Sequence, residues 1–296
     1  MKVYVTGIKG FVGRHLKPYF EKCGATVIGV DIDDFDLADK AALKKSLDEH
    51  RPDAIVHLAA VSSVGQSWQK PAECFLNNTG IFLNLVECIR ELGLKTRILS
   101  VGSSEEYGPC PADEMPLKED RPLNPDSPYA VARVSQELLS KLYSQSLGVE
   151  VIMTRSFNHI GPGQRPQFVV ASFVKQLVEA SKQGDDALLK VGNIEVIRDF
   201  SDVRDVVRAY WDILTKGKPG EAYNVCSGKG TRLSDLIQII ATELKLNVTT
   251  KVDPALVRPV DAPAVIGSHD KITNELGWEP QIPLNQTIRD MIAALQ

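Results

Sequence analysis

Two clusters of residues in this sequence have the types and spacing to do chemistry. The first is Gly7-Ile8-Lys9-Gly10-Phe11-Val12-Gly13, which follows the strand-like run Lys2-Val3-Tyr4-Val5-Thr6 and opens an amphipathic segment carrying Phe11, Val12, Leu16 and Phe20. Glycines at a strand-to-helix turn let the backbone approach a pyrophosphate closely, and the free N–H groups that open the helix then face the anion. The next strand-like run, Thr26 to Val30, ends in Asp31, at the spacing from which a carboxylate can bond a ribose hydroxyl. A glycine turn that only packs a helix on a strand is the plainer reading; the full order of strand, turn, helix, strand and acid favours a dinucleotide site. The second cluster is Ser103-Ser104-Glu105-Glu106-Tyr107-Gly108 together with Tyr129-Ala-Val-Ala-Arg133. Tyr129 and Arg133 are spaced to share one face of a helix. A cation one turn from a tyrosine favours its phenolate form and so suits proton exchange with a substrate oxygen, and a serine hydroxyl at a strand end can bond the same oxygen. Alone, Tyr129 reads as a packing aromatic; beside a dinucleotide turn it reads as an acid–base group.

The elements that must position these residues alternate along the first half of the chain. Strands are expected at Thr26–Val30, Ala54–Leu58, Arg97–Val101 and Val149–Arg155. Helices are expected over Lys40–Leu47, over Ala72–Leu94 with Phe75, Phe82, Val86 and Ile89 on one face, and over Ser135–Leu147 with a pattern reaching back to Ser127. Such alternation implies an α/β fold, a doubly wound parallel sheet with helices on both faces, whose ligands bind beyond the C-terminal strand ends. Ser103 and the glycine turn fall at such ends. After residue 156 the pattern loosens and prolines multiply. We therefore divide the chain into a dinucleotide-binding domain over 1–156 and a smaller lobe over 157–296, part of which returns to the main sheet.

Composition narrows the partners. The chain has 296 residues, 43% hydrophobic and 24% charged, with a formal net charge of −4. That is an ordinary soluble composition with no basic excess to attract nucleic acid, and no apolar run long enough to span a membrane. Met1 leads straight into the first strand, so no signal peptide is expected. Five cysteines (Cys23, Cys74, Cys88, Cys110, Cys226) are scattered without metal spacing, as are the five histidines. They read as reduced thiols in a cytoplasmic protein with no metal site.

The motifs T-G-x-x-G-F-x-G, H-L-A-A (His57 to Ala60), N-x-x-G (Asn77 to Gly80), S-S-x-x-Y-G and S-P-Y-A-x-x-[K/R] resemble the extended short-chain dehydrogenase/reductase family. The resemblance runs from residue 3 to the end and implies a Rossmann fold that binds NAD or NADP. It implies that Gly7, Gly10, Phe11, Val12 and Gly13 hold the dinucleotide, that Asp31 bonds the adenosine ribose, and that Asp36 and Leu37 read the adenine. Leu58, Ala59, Ala60 and Asn77 line the cofactor's path, and Ser103, Tyr129 and residue 133 form the catalytic set. The family carries lysine at 133; the arginine here keeps the charge and can bond ribose, but is bulkier and cannot pass a proton along a relay. Asp31 should repel a 2′-phosphate and so favour NADH slightly, with Lys9 and Arg14 softening the preference.

The C-terminal half is similar to the sugar-nucleotide branch of that family. The matching segments are Arg155-Ser-Phe-Asn-His-Ile-Gly-Pro-Gly-Gln164, Val191-Gly192-Asn193, Arg198-Asp-Phe-Ser-Asp-Val-Arg-Asp205, Tyr223-Asn-Val-Cys-Ser-Gly228, Arg258-Pro259 and Gly277-Trp278-x-Pro280. The resemblance makes Ser103, Ser104, Glu105, Asn158, Val191, Arg198 and Arg258 candidates for holding the substrate. Arginines suit its diphosphate because the guanidinium fork bonds phosphate in two places. The resemblance further implies a GDP-linked 4-keto-6-deoxy sugar, reduced at C4 by a nicotinamide cofactor to GDP-D-rhamnose or its C4 epimer. Two other readings stand beside it: a nucleotide-sugar 4,6-dehydratase, with Glu105 as the acid that removes the C5 proton, and a cofactor-binding protein whose catalysis Arg133 impairs. The helices near 72–94 and 127–147 carry apolar residues on more than one face, and in the resembled family they pair across a two-fold axis, which implies a homodimer.

Overall fold

The computed structural model describes residues 1–184, 186–257 and 262–296. The first half runs β1 (Lys2–Thr6), α1 (Phe11–Lys22), β2 (Thr26–Val30), α2 (Lys40–His50), β3 (Ala54–His57), α3 (Val64–Gln69), α4 (Pro71–Glu91), β4 (Arg97–Ser103), α5 (Pro128–Ser146) and β5 (Val151–Ser156). Then come β6 (Asn158–Ile160), α6 (Val169–Ser181), β7 (Asp186–Val191), β8 (Ile197–Asp202), α7 (Val203–Lys216), β9 (Ala222–Val225), β10 (Gly230–Arg232), α8 (Leu233–Leu244), β11 (Asn247–Val252), β12 (Ala264–Val265), α9 (Asp270–Leu276) and α10 (Leu284–Ala293).

Among the described residues, six strands form one sheet in the order β2-β1-β3-β4-β5-β9, each pair parallel. The chain reverses its direction of winding between β1 and β3, and a crevice for ligands opens at such a point. Successive residues of each strand face opposite sides. Val3, Val5, Val56 and Leu99 pack with Leu16 and Phe20 of α1 and Tyr210 and Ile213 of α7. Tyr4, Ile55, Ile98 and Met153 pack with Leu43 and Leu47 of α2, Phe82 and Leu85 of α4, and Tyr143 of α5. The doubly wound parallel sheet expected from the alternation is therefore present. A separate core joins α6, α8 and α10 to β7 and β8. Strand β8 also pairs with β6, β10 and β12.

Several element ends differ from expectation for local reasons. Helix α4 stops at Glu91 because Gly93 takes a positive φ of 59° and Leu94 N–H turns back to the Ile89 carbonyl. Phe75 lies on the outer face of α4, not with the buried Phe82, Val86 and Ile89. Helix α5 begins at Pro128, with the Ser127 hydroxyl accepting the Ala130 N–H. Strand β5 starts late because Ser144 Oγ bonds both the Val149 and the Val151 carbonyls.

A buried carboxylate of α7 holds the segment that follows α9. Asp205 Oδ2, in α7, accepts the N–H groups of Gln281 and Ile282, each at 2.8 Å. The Asp205 carbonyl accepts Trp278 Nε1–H at 3.1 Å, and Arg208 lies over the indole ring. Trp278 is fully buried. Trp278→Ala should lower unfolding stability by about 3–5 kcal/mol in a denaturant titration; a loss under about 1 kcal/mol would show the indole to be dispensable.

Candidate active site

The glycine turn is packed so closely that two of its residues have no room for a side chain. Gly7 has a φ of +74°, and a Cβ on it would lie 3.0 Å from the Ala59 nitrogen. A Cβ on Gly13 would lie 2.3 Å from the Ile8 carbonyl oxygen, so α1 sits directly on the loop. Gly10 is the N-cap, no side chain caps α1, and its first turn holds no acid. The opening N–H groups of α1 are thus left for a ligand, and a side chain on Gly7 or Gly13 would fill the cradle. Phe11 and Val12 open the helix; Phe11 lies parallel to the His159 ring at 6.2 Å, and Val12 packs on the core beneath.

Asp31 stands beside this turn. Its Oδ2 accepts Lys9 N–H at 2.8 Å and its Oδ1 accepts Ile32 N–H at 2.9 Å. Each oxygen keeps lone pairs for a ribose hydroxyl. Lys9 Nζ pairs with Asp33 at 2.9 Å, and Arg14 Nε bonds the Lys9 carbonyl. Asp36 Oδ1 accepts Ala38 N–H, while the Leu37 and Ala38 carbonyls accept from Asn84 Nδ2. Leu58 N–H and Ala59 N–H bond the Thr6 carbonyl and hydroxyl, and Ala60 follows in the same loop. Thr6 Oγ1 also meets His57 Nδ1 at 2.9 Å. Burial, aided by the charge of Arg133, lowers the His57 pKa to about 3, so the ring stays neutral. Asn77 donates to Asn78, whose amide bonds both the N–H and the carbonyl of Val61.

The serine–tyrosine–arginine group lies where α5 packs against the end of β4. Ser103 N–H donates to Glu106 Oε1 at 2.7 Å, and Ser103 Oγ accepts Glu105 N–H at 3.2 Å, which leaves the hydroxyl proton free. Ser104 is buried behind it. Arg133, 5% exposed, donates from Nε to Tyr129 Oη at 3.2 Å and from Nη1 to the Val101 carbonyl at 2.9 Å and Gln136 Oε1 at 2.8 Å. Gln136 Nε2 donates to Ser100 Oγ at 2.8 Å, and Ser140 lies 3.2 Å from the same hydroxyl. Arginine has no acceptor, so Tyr129 Oη accepts, and its own proton is free to point elsewhere. Among the described residues Nη2 meets no acceptor, which leaves two N–H groups for a ligand. The arrangement can hold a ligand hydroxyl through Nη2 and offer a proton from Tyr129 and a hydrogen bond from Ser103 to one oxygen.

The substrate-side candidates are less uniform. Asn158 is exposed on β6, paired with Phe200 of β8, the strand that carries Arg198. Arg198 Nη1 bonds the carbonyls of Ile197 and Ala262, each at 2.8 Å. Glu105 is half-buried beside Ser103. Val191 is 0% exposed, packed in the core of the second lobe, so its side chain does not face the cleft. Arg258 lies outside the described residues. Asn78, Asn84, Gln136 and Glu106 hold the site together and were not among the candidates. The signal was a polar residue at helical spacing within a buried stripe: Asn78 between Cys74 and Phe82, and Gln136 between Arg133 and Ser140. Among the described residues no group of three His, Cys, Asp or Glu side chains could hold a metal, and no helix is long and apolar enough to cross a membrane.

Comparison with known proteins gives the family. The profile of the GDP-mannose 4,6 dehydratase family matches residues 30–291. The chain is 34% identical to the GDP-6-deoxy-D-mannose reductase of Pseudomonas aeruginosa, over 99% of this chain and 96% of that one. It is 29% identical to a GDP-mannose 4,6-dehydratase of Vibrio cholerae, over 88% of this chain but 77% of that one. The solved structure of RMD from Pseudomonas aeruginosa complexed with NADPH superposes with a TM-score of 0.92 at 32% identity, covering 99% of this chain and 98% of that one. The chain belongs to the sugar-nucleotide branch of the extended short-chain dehydrogenase/reductase family, whose members work with a nicotinamide cofactor.

The position of Asp31 bears on which dinucleotide fits. If Asp31 meets the adenosine ribose, both NADH and NADPH should bind, with NADH at least equal, because its carboxylate opposes a 2′-phosphate while Lys9 and Arg14 stand beside it. Asp31→Ala should shift the ratio of dissociation constants towards NADPH. A tenfold NADPH preference in the unaltered protein would overturn this reading of Asp31.

Proposed function

We propose that the protein reduces the 4-keto group of GDP-4-keto-6-deoxy-D-mannose to give GDP-D-rhamnose or its C4 epimer. The observation that carries this reading is the proton-donor pair, Tyr129 seated on the Arg133 guanidinium, next to a glycine turn whose helix N-terminus lacks a side-chain cap. The match to the Pseudomonas reductase over 96% of its length supports the substrate class. The nicotinamide supplies the hydride that goes to C4 of the sugar. Tyr129 gives its proton to O4 as the carbonyl becomes an alcohol, Ser103 bonds the same oxygen, and Arg133 Nη2 holds the ribose. Gly7, Gly10, Gly13 and Asp31 hold the dinucleotide, and Ser104, Asn158 and Arg198 serve the nucleotide sugar. In this division residues 1–156 carry the cofactor and 157–296 mainly the substrate, with β9 of the second segment lying in the main sheet.

A dehydratase reading rests on Glu105, which stands next to Ser103. Against it, the chain spans only 77% of the Vibrio dehydratase. Product mass separates the two. Incubation with GDP-4-keto-6-deoxymannose and NADH or NADPH should give a product heavier by two hydrogens, with NMR assigning C4. GDP-mannose alone should lose no water. Tyr129→Phe should lower kcat by about a hundredfold or more. Turnover by Tyr129→Phe at the unaltered rate, or water loss from GDP-mannose, would sink the reductase reading.

We further propose a homodimer. Leu76 and Leu83 of α4 and Val131, Leu138 and Leu142 of α5 are exposed on two helices that pack side by side, with Leu138 at 58% and Leu142 at 50%. Such a row is an interface in waiting. Light scattering at micromolar concentration should give twice the chain mass, and Leu138→Glu with Leu142→Glu should halve it. A monomer before substitution would refute the assembly.

A further inference from the structure

Glu106 is a full acid with 0% exposure at the turn that carries Ser103. Its Oε1 accepts the Ser103 N–H, and its Oε2 is buried without a donor. A second buried carboxylate, Glu137 of α5, is its charged neighbour. Glu137 is fully engaged as an anion: Arg155 Nε and Nη2 grip it from β5, each at 2.9 Å, and Lys141 Nζ reaches it at 2.7 Å. Arg155 spends its remaining reach on the Glu119 carbonyl and the face of Tyr107. Among the described residues no cation forms an ion pair with Glu106. Room for its carboxyl exists only because residue 102 lacks a side chain: a Cβ on Gly102 would lie 2.3 Å from Glu106 Oε1.

Two adjacent buried carboxylates with cations on only one of them are compatible when the other carries a proton. We propose that Glu106 is a positioning residue for Ser103 that works as a neutral carboxylic acid, its Oε1 accepting the Ser103 N–H and its protonated Oε2 donating to the Glu137 carboxylate. The proton satisfies the otherwise orphaned oxygen, and the pair of bonds clamps the Ser103 turn to α5, the helix that carries Tyr129 and Arg133. Burial first, and then the Glu137 charge, pushes the Glu106 pKa well above the usual carboxylate range, in agreement. The charged groups that act on it are Glu137 of α5, which raises its pKa further, and Arg155 of β5, which opposes the rise more weakly.

A carboxyl whose folded pKa is raised stabilises the fold below its unfolded pKa and loses that stability as pH rises towards the folded value. Glutamine has the same shape as the protonated acid and does not titrate. E106Q should therefore unfold at or above the wild-type temperature at about pH 8, with the gap closing towards pH 5. It should keep kcat within about threefold, whereas E106A should lose about tenfold or more in kcat with little change in KM for the cofactor. The kinetic arm rests on the reductase reading; the unfolding arm does not, so an inactive wild type would count against that reading alone while the pH series still decides the state of Glu106. E106Q unfolding below the wild type at pH 8 would overturn the neutral acid, and an E106A protein with wild-type kcat would overturn the positioning role. Should E106A fail to fold, E106Q as inactive as Tyr129→Phe would overturn that role in its place.

Discussion

A guanidinium carried into a protein interior must find acceptors, because its charge cannot be shed and its desolvation costs several kcal/mol. Arg133 meets that demand with dipoles: a strand carbonyl, an amide oxygen and a phenol. Among the described residues it makes no ion pair. The strand carbonyl belongs to Val101, two residues before Ser103, and the phenol is Tyr129. A single buried charge thus fixes the helix bearing one candidate proton donor against the strand bearing the other. The Gln136–Ser100–Ser140 network continues the constraint, since the amide must turn its oxygen to the cation and its nitrogen to the hydroxyl. Lysine, with three donors at one point, would be satisfied differently.

The second lobe is organised by the opposite charge. Asp199 is buried and takes four donors: Ser227 N–H and Oγ–H, Gly228 N–H and Gly267 N–H. Burial pushes its pKa up while these bonds pull it down. Asp202 accepts from Arg204 and Thr287, and Asp205 holds the segment around residue 281. Three carboxylates from one stretch of seven residues therefore set loops drawn from distant parts of the chain, and Arg198 is held at the same strand.

Much of this was legible in the residues. The glycine spacing, the alternation of apolar runs and the Tyr129–Arg133 pair follow local rules of turn, strand and helix, and these foretold the parallel sheet and the shared helix face of Tyr129 and Arg133. What escaped were groups whose role is set by tertiary partners. Glu106 looks like one more acid in an acidic turn until Glu137 arrives from another helix. Gln136 and Asn78 look like breaks in apolar stripes until Ser100 and Val61 are placed beside them. Phe75 has the composition of a core residue, yet helical phase turns it outward. Val191 sits in a motif shared with the sugar-nucleotide branch, yet alternation along β7 turns its side chain into the core.

The turn that bears Ser103 is finished from far downstream. Tyr107 Oη donates to Asn224 Oδ1 across 117 positions, while Asn224 Nδ2 reaches the Leu117 and Ser268 carbonyls and Asn224 N–H bonds Glu119. Strand β9, which carries Asn224, is the last of its sheet to leave the ribosome. At synthesis rates of about 5–20 residues per second, the nascent chain waits roughly 6–23 seconds after Tyr107 is made before its partner exists. From the moment β5 is itself complete until β9 follows, the flank of β5 is an open strand edge. The same hydrogen bonds that complete the turn bearing Ser103 also mark the moment at which the newborn protein covers the β5 edge.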